Sequence, residues 1–133
     1  LAFDTSAAHC AVSLFINGEC FDERIEPMVK GQAERLFPLC EKILTLANIS
    51  WLNLDAIGVC IGPGNFTGVR VGVSAARGLS LSLKIPAIGI SRLEAMALDS
   101  KSKASVIMDA RQDKIYMLTF QNVLFQTQLQ DWP

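Results

Sequence analysis

Within the first 27 residues, two short runs alternate with a period of two. In "LAFDTS", Leu1, Phe3 and Thr5 fall on one face and Ala2 and Asp4 on the other, which predicts a short strand. "CAVSLFI" (10–16) is apolar on both faces, as expected of a strand in the middle of a sheet. Asn17-Gly18 follows, and both residues tolerate the positive φ of a type I′ hairpin turn. In "ECFDERIEP" (19–27), Phe21 and Ile25 alternate with charged residues and Pro27 closes the run. One wet face and a terminal proline suit an edge strand. The chain therefore opens on a three-stranded antiparallel meander.

After Gly31 the period lengthens. Leu36, Phe37, Cys40, Ile43, Leu44 and Ala47 form one helical stripe, with Glu34, Glu41 and Lys42 off it. A helix beginning near Ala33 would keep Pro38 close to the first turn, where N–H groups lack intrahelical acceptors. "DAIGVCIG" (55–62) reads as a buried parallel strand. "GPGNFTGVRVGVSAARGL" (62–79) is a loop that tips into a helix over 66–83. "IPAIGIS" predicts another strand and "RLEAMAL" a short helix. "KASVIMDAR" and "KIYMLTFQ" form a strand pair joined at Gln112-Asp113. The order β-β-β-α-β-α-β-α-β-β predicts an α/β fold: a mixed five-stranded sheet with helices on both faces. That is the layout of the ribonuclease H-like fold and of one lobe of an actin-like ATPase.

The chain has 133 residues, which suits one domain, and half of them are hydrophobic. A net charge of −1 and the lack of a basic stripe argue against direct nucleic-acid binding by this chain alone. Cys10, Cys20, Cys40 and Cys60 make no CxxC pair, and His9 is the single histidine, so a zinc site is not expected. The cysteines read as small core residues of a cytoplasmic protein. No apolar run reaches the roughly 20 residues that span a bilayer. The opening strand pattern predicts no signal peptide, and the absence of an initial Met suggests a trimmed N-terminus.

Gly68, Gly72 and Gly78 each cost their helix roughly 1 kcal/mol relative to Ala. One reading is anion binding. A turn at Gly62-Pro63-Gly64, with Asn65 or Thr67 as N-cap, could cradle a phosphate at a helix N-terminus. The segment is neither a P-loop nor GxGxxG. The other reading is close packing, because Gly68, Gly72, Ala76 and Ser80 recur every four residues as a ridge of little bulk. The ridge suits either the parent sheet or a helix of another subunit. Of the cations Arg70, Arg77, Arg92 and Arg111, Arg70 stands out because it sits in the opening turns of this helix.

Catalytic constellations are scarce. HExxH and GxSxG are absent, and Cys10 and His9 are adjacent on a strand and so point to opposite faces. Asp4 and Asp109 sit near strand ends, where open α/β sheets place ligands, and could hold Mg²⁺. With Thr5, Ser6, Gly62 and Gly64 they make a candidate phosphate or nucleotide site. Equally, Asp4 could cap the Thr5-Ser6 turn, and Asp109 could pair with Arg111 or Arg92.

"LAFDTSAAHCAVSLF", "GQAERLFPLCEKIL", "GPGNFTGVRVGVSAARGLSL", "IPAIGISRLEAMA" and "DARQDKIY" occur in this order in the TsaB (YeaZ) family, which residues 1–120 resemble. The resemblance implies a pseudoenzyme of tRNA threonylcarbamoyladenosine synthesis at position 37, from a family long labelled glycoprotease. It implies a TsaD-like catalytic partner, a TsaE-like ATPase, a homodimer when alone, and only indirect contact with tRNA. It places the partner interface on two helices: Glu34, Leu36, Phe37 and Cys40 on the first, and Gly68, Val69, Arg70, Gly72, Val73, Ala76 and Ser80 on the second. The catalytic paralogue carries HxxxH on its first helix. Here the matching residues are Gln32-Ala33-Glu34-Arg35-Leu36, so no catalytic metal is expected. Asn65 stands where the family commonly has Ser or Asp. The family has two lobes with nucleotide held between them. Residues 1–120 match the N-terminal lobe and 121–133, ending "NVLFQTQLQDWP", resemble the start of a crossing segment. ATP and Mg²⁺ belong to the full complex, and no tight cofactor is expected on this chain.

Overall fold

A computed structural model describes residues 1–98, 100 and 103–120. The strands are β1 (Ala2–Asp4), β2 (His9–Ile16), β3 (Glu19–Pro27), β4 (Ile57–Cys60), β5 (Ala87–Ile90), β6 (Ala104–Arg111) and β7 (Lys114–Phe120). The helices are α1 (Gln32–Leu46), α2 (Phe66–Leu83) and α3 (Arg92–Ala97), with a 3₁₀ turn at Trp51–Asn53. The proposed crossing segment 121–133 and the side chain of Arg111 lie outside the described residues.

The main sheet has the order β3-β2-β1-β4-β5. β1, β2 and β3 pair antiparallel, whereas β4 runs parallel to both β1 and β5. This is the mixed five-stranded sheet that the periodicity predicts. The two hairpin turns also fall where expected: Asn17-Gly18 and Gln112-Asp113 all have positive φ. β6 and β7 form a separate hairpin whose Val106 packs with Leu93 and Ala97 of α3.

α1 and α2 cover one face of the main sheet. There Phe3, Cys10, Val12, Leu14, Ile57 and Val59 meet Leu36, Leu39, Cys40, Ile43 and Leu44 of α1 and Ala76 of α2. α3 borders the opposite face, where Ala2, Ala11, Ser13, Gly58 and Cys60 line a shallow groove of about 240 Å³. The apolar character of β2 on both faces therefore does not mean two buried faces. β2 is interior to the sheet, but only Cys10, Val12 and Leu14 are buried.

Pro38 sits deeper in α1 than a start near Ala33 would place it. α1 starts at Gln32, so Pro38 lies beyond the first turn and its nitrogen cannot bond the carbonyl of Glu34. Pro38 and Glu34 are both exposed, so water can serve that carbonyl. The helix persists because its opposite face is anchored in the core.

Candidate functional site

Two surfaces concentrate the candidate residues: the junction of the β1 loop with the start of α2, and the outward faces of α1 and α2. At the junction, Asn65 accepts a hydrogen bond at its Oδ1 from the N–H of Gly68 (3.0 Å) and caps α2. The Asn65 N–H donates to the Ser6 carbonyl at 2.6 Å. The Thr5 hydroxyl donates to the Gly68 carbonyl at 2.6 Å. Loop and helix approach so closely that a Cβ on Gly68 would collide with the Thr5 carbonyl, and one on Gly64 with the Ser6 carbonyl. A Cβ on Gly72 would stand 2.8 Å from Thr5 Oγ1 and 3.3 Å from Val59 Cγ2.

This decides the role of the small-residue ridge. Gly68 and Gly72 are buried against the loop after β1 and Val59 of β4, and Ala76, 1% exposed, lies in the core. The Ser80 hydroxyl donates to the Ile85 carbonyl at 2.6 Å, closing the end of α2. Leu36 and Cys40 are likewise core residues, each 1% exposed. Gly68, Gly72, Ala76, Leu36 and Cys40 therefore cannot present their faces to another chain. The physical reason is that the ridge lets the sheet, rather than a second subunit, come within backbone contact.

The exposed surface of the same helices is their other side. Along α2 the outward positions are Phe66, Arg70, Ser74, Arg77 and Leu81; Phe66 is 72% and Leu81 82% exposed. Arg70 lies over the Phe66 ring, with Cζ 4.5 Å from the centroid. Val69 and Val73 are half-buried on the flank. Along α1 the outward positions are Glu34, Pro38, Glu41 and Thr45, with Phe37 beside them against Trp51 at 6.0 Å between ring centroids. Phe66, Arg77 and Leu81 were not among the interface residues expected from the sequence. Their exposure follows from the sequence pattern, since they lie opposite the glycine ridge on the helical wheel.

Asp4 is more engaged than a waiting metal ligand. Its Oδ1 accepts from the Ser6 N–H at 2.7 Å, and its Oδ2 lies 3.1 Å from His9 Nε2. Burial would raise its pKa, but hydrogen bonds from Ser6 and the neighbouring His9 outweigh this and hold the carboxyl below its usual range. The Ser6 hydroxyl is shared with Cys60 Sγ at 3.3 Å. Both Thr5 and Ser6 are buried with their hydroxyls occupied. Gly62 accepts at its carbonyl from the Arg92 N–H at 2.8 Å, and the Gly62–Pro63 peptide is cis. Asp4, Thr5, Ser6 and Gly64 are thus brought together as a structural knot. Asp109 lies on β6, exposed, opposite Ile115. The groove bordered by Asp4 is not lined by Gly62, Gly64 or Asp109. Among the described residues no group of three or more His, Cys, Asp or Glu could hold a metal.

The family model of TsaD, tRNA N6-adenosine threonylcarbamoyltransferase, matches residues 26–131. The chain belongs to this family. The chain is similar to the TsaB (YeaZ) proteins. It is 32% identical over 126 residues to the tRNA threonylcarbamoyladenosine biosynthesis protein TsaB of Escherichia coli K12, covering 91% of this chain and 54% of that one. The TsaB of Haemophilus influenzae is 35% identical over 122 residues (87% and 51%) and that of Bacillus subtilis 33% over 124 (91% and 54%). YeaZ from Pseudomonas aeruginosa superposes with a TM-score of 0.79 at 30% identity, over 90% of this chain and 58% of that one. The chain spans about half the length of the TsaB proteins it matches.

TsaB likeness gives two positions on α1 a particular interest. The HxxxH comparison made on the sequence falls at Gln32 and Leu36. Gln32 Nε2 donates to the Ala7 carbonyl at 3.4 Å, and Leu36 is sealed in the core. Between them Arg35 grips Glu26 of β3 through two hydrogen bonds of 2.6 Å, fixing α1 to the sheet.

Proposed function

We propose that this chain is the N-terminal lobe of a non-catalytic scaffold subunit in the synthesis of tRNA threonylcarbamoyladenosine at position 37. It acts in the cytoplasm and offers the outward faces of α1 and α2 to a TsaD-like catalytic partner, in a complex with a TsaE-like ATPase. Alone, it pairs with a second copy through the same face, and it meets tRNA only through its partners. The names of its relatives support the pathway. The observation that carries the docking assignment is the exposure of Phe66 and Leu81 on a helix whose opposite side is locked into the sheet. Isolated exposed apolar residues are ordinary, but large ones on one rigid helix face are the usual material of an interface core. A non-catalytic role is supported by the engagement of Asp4, Thr5 and Ser6 within the fold and by Gln32 and Leu36 on α1. No helix among the described residues is long and apolar enough to cross a membrane.

The test uses Leu81→Glu and Phe66→Ser, both at exposed positions that leave the core intact. Each should weaken capture of a TsaD-like partner at least about tenfold, as expected for a truncated anchor residue. Cells relying on the variant should lose tRNA threonylcarbamoyladenosine by mass spectrometry. Undiminished capture moves docking to another surface. Calorimetry with ATP and Mg²⁺ should show no micromolar binding, and such binding would instead favour a nucleotide-handling lobe. Gly72→Leu is not an interface probe, because a side chain there strikes Thr5 and Val59 within the fold.

A further inference from the structure

Glu34 and Glu41 on the outward side of α1, where Lys42 is also exposed, and Arg70 and Arg77 on that of α2 carry opposite charges at equal spacing. Glu34 and Glu41 are seven residues apart, as are Arg70 and Arg77. Seven residues is about 10.5 Å along a helix, so the two pairs match in length. All four are exposed. None of them forms an ion pair among the described residues, where the only ones are Asp4–His9, Asp22–Arg24 and Glu26–Arg35. The acidic and basic stripes of one chain therefore do not satisfy each other. Arg70 lies over the Phe66 ring with Cζ 4.5 Å from the centroid, and its guanidinium carries donors suited to a carboxylate.

We infer that these four residues set the register of a two-fold dimer, with the Glu34/Glu41 stripe of each copy facing the Arg70/Arg77 stripe of the other. This rests on the pairing of like chains proposed above and adds the chemistry that selects the partner. In a two-fold arrangement whatever α1 meets on the partner's α2 is met again by symmetry, so two matched pairs become four. Exposed ion pairs are individually weak, but flanking charges of this kind fix orientation and partner choice between helices.

The charges can be exchanged without touching the core. Glu34→Lys/Glu41→Lys gives a chain with two basic stripes, and Arg70→Glu/Arg77→Glu one with two acidic stripes. In the full chain at low salt, each variant alone should dimerise at least about tenfold more weakly than wild type by sedimentation equilibrium. Mixed in equal amounts, the two should recover wild-type affinity to within about threefold, because both contacts become complementary again. Added salt should weaken the wild-type dimer and the mixed dimer alike. Two variants that self-associate like wild type, or a mixture no tighter than either alone, would overturn the charge register while leaving the dimer in place. A wild-type chain that stays monomeric at high concentration would overturn the dimer and the register together. If the reversals alter only capture of a TsaD-like chain, the stripes serve that partner and the inference fails.

Discussion

The carbonyl oxygen of Thr5 occupies the space into which a side chain on residue 68 would grow, and Gly68 leaves that space empty. The Thr5 hydroxyl returns a hydrogen bond to the Gly68 carbonyl, so the loop after β1 and the first turn of α2 hold each other from both sides. Ser6 and Gly64 repeat the relation one step outward, with the Asn65 N–H bonded to the Ser6 carbonyl. The glycines of α2 that weaken it as a helix are what allow it to sit this close to the sheet.

Three Gly→Ala substitutions in α2 separate helix propensity from packing. Each gains up to about 1 kcal/mol of propensity. At Gly78, nothing lies within 4 Å of the added carbon, so Gly78→Ala should stabilise by about 0.5–1 kcal/mol. At Gly68 the carbon meets fixed backbone, and the net effect should be a loss of at least about 2 kcal/mol. Gly72→Ala should fall between them, because the side chains of Thr5 and Val59 can shift. Urea midpoints at constant slope measure all three.

Asn65→Ala removes the side-chain acceptor for the Gly68 N–H and should cost about 1 kcal/mol, whereas Asn65→Asp and Asn65→Ser should stay within a few tenths. The Asn65–Ser6 contact runs through backbone and should survive all three. Equal losses in Ala, Asp and Ser variants would show that capping is not what Asn65 contributes.

Asp4 links stability to acid. Its carboxyl titrates below its ordinary value in the folded chain, so it contributes stability above about pH 4, and that contribution disappears as pH falls through the folded pKa. Asp4→Asn should cost about 1–3 kcal/mol near neutrality, because Ser6 and His9 lose a charged acceptor. The variant should also lack the part of the wild-type decline below pH 4 that Asp4 causes. Denaturation midpoints from pH 2 to 7 check both effects.

The thiols divide by burial. Cys20 is exposed and should react first with a thiol reagent, Cys60 more slowly, and Cys10 and Cys40 only on unfolding. Burial pushes Cys10 up to about 11 and Cys40 up to about 12. Unfolded thiols ionise near 8.5, so between about pH 9 and 11 the folded state holds more protons and stability should fall as pH rises. Cys40→Ala, less stable at pH 7, should show the shallower alkaline decline.

Local chemistry made most of the scaffold legible. Asn17-Gly18 and Gln112-Asp113 turn because their residues accept positive φ, and Asn65 caps because its side chain reaches an N–H three residues on. The stripe from Leu36 to Ala47 marks a buried helix face wherever that helix lies. Pro38 misled because its exposure is a property of where α1 meets the sheet. Of the residues expected at a partner interface, Glu34, Phe37 and Arg70 are exposed, while Leu36, Cys40, Gly68, Gly72 and Ala76 turn inward.

The sequence by itself determined the elements, their order and the fact that Gly68, Gly72 and Ala76 share one side of a helix. Periodicity depends only on neighbours along the chain, and it carries that much. Tertiary structure alone decided that Thr5 and Val59 stand opposite that side, that Asp4 is held between Ser6 and His9, and that Phe66, Arg77 and Leu81 are left facing outward. A ridge without side chains admits any backbone that comes near, and the identity of that backbone is fixed by strand pairing between residues more than fifty positions apart.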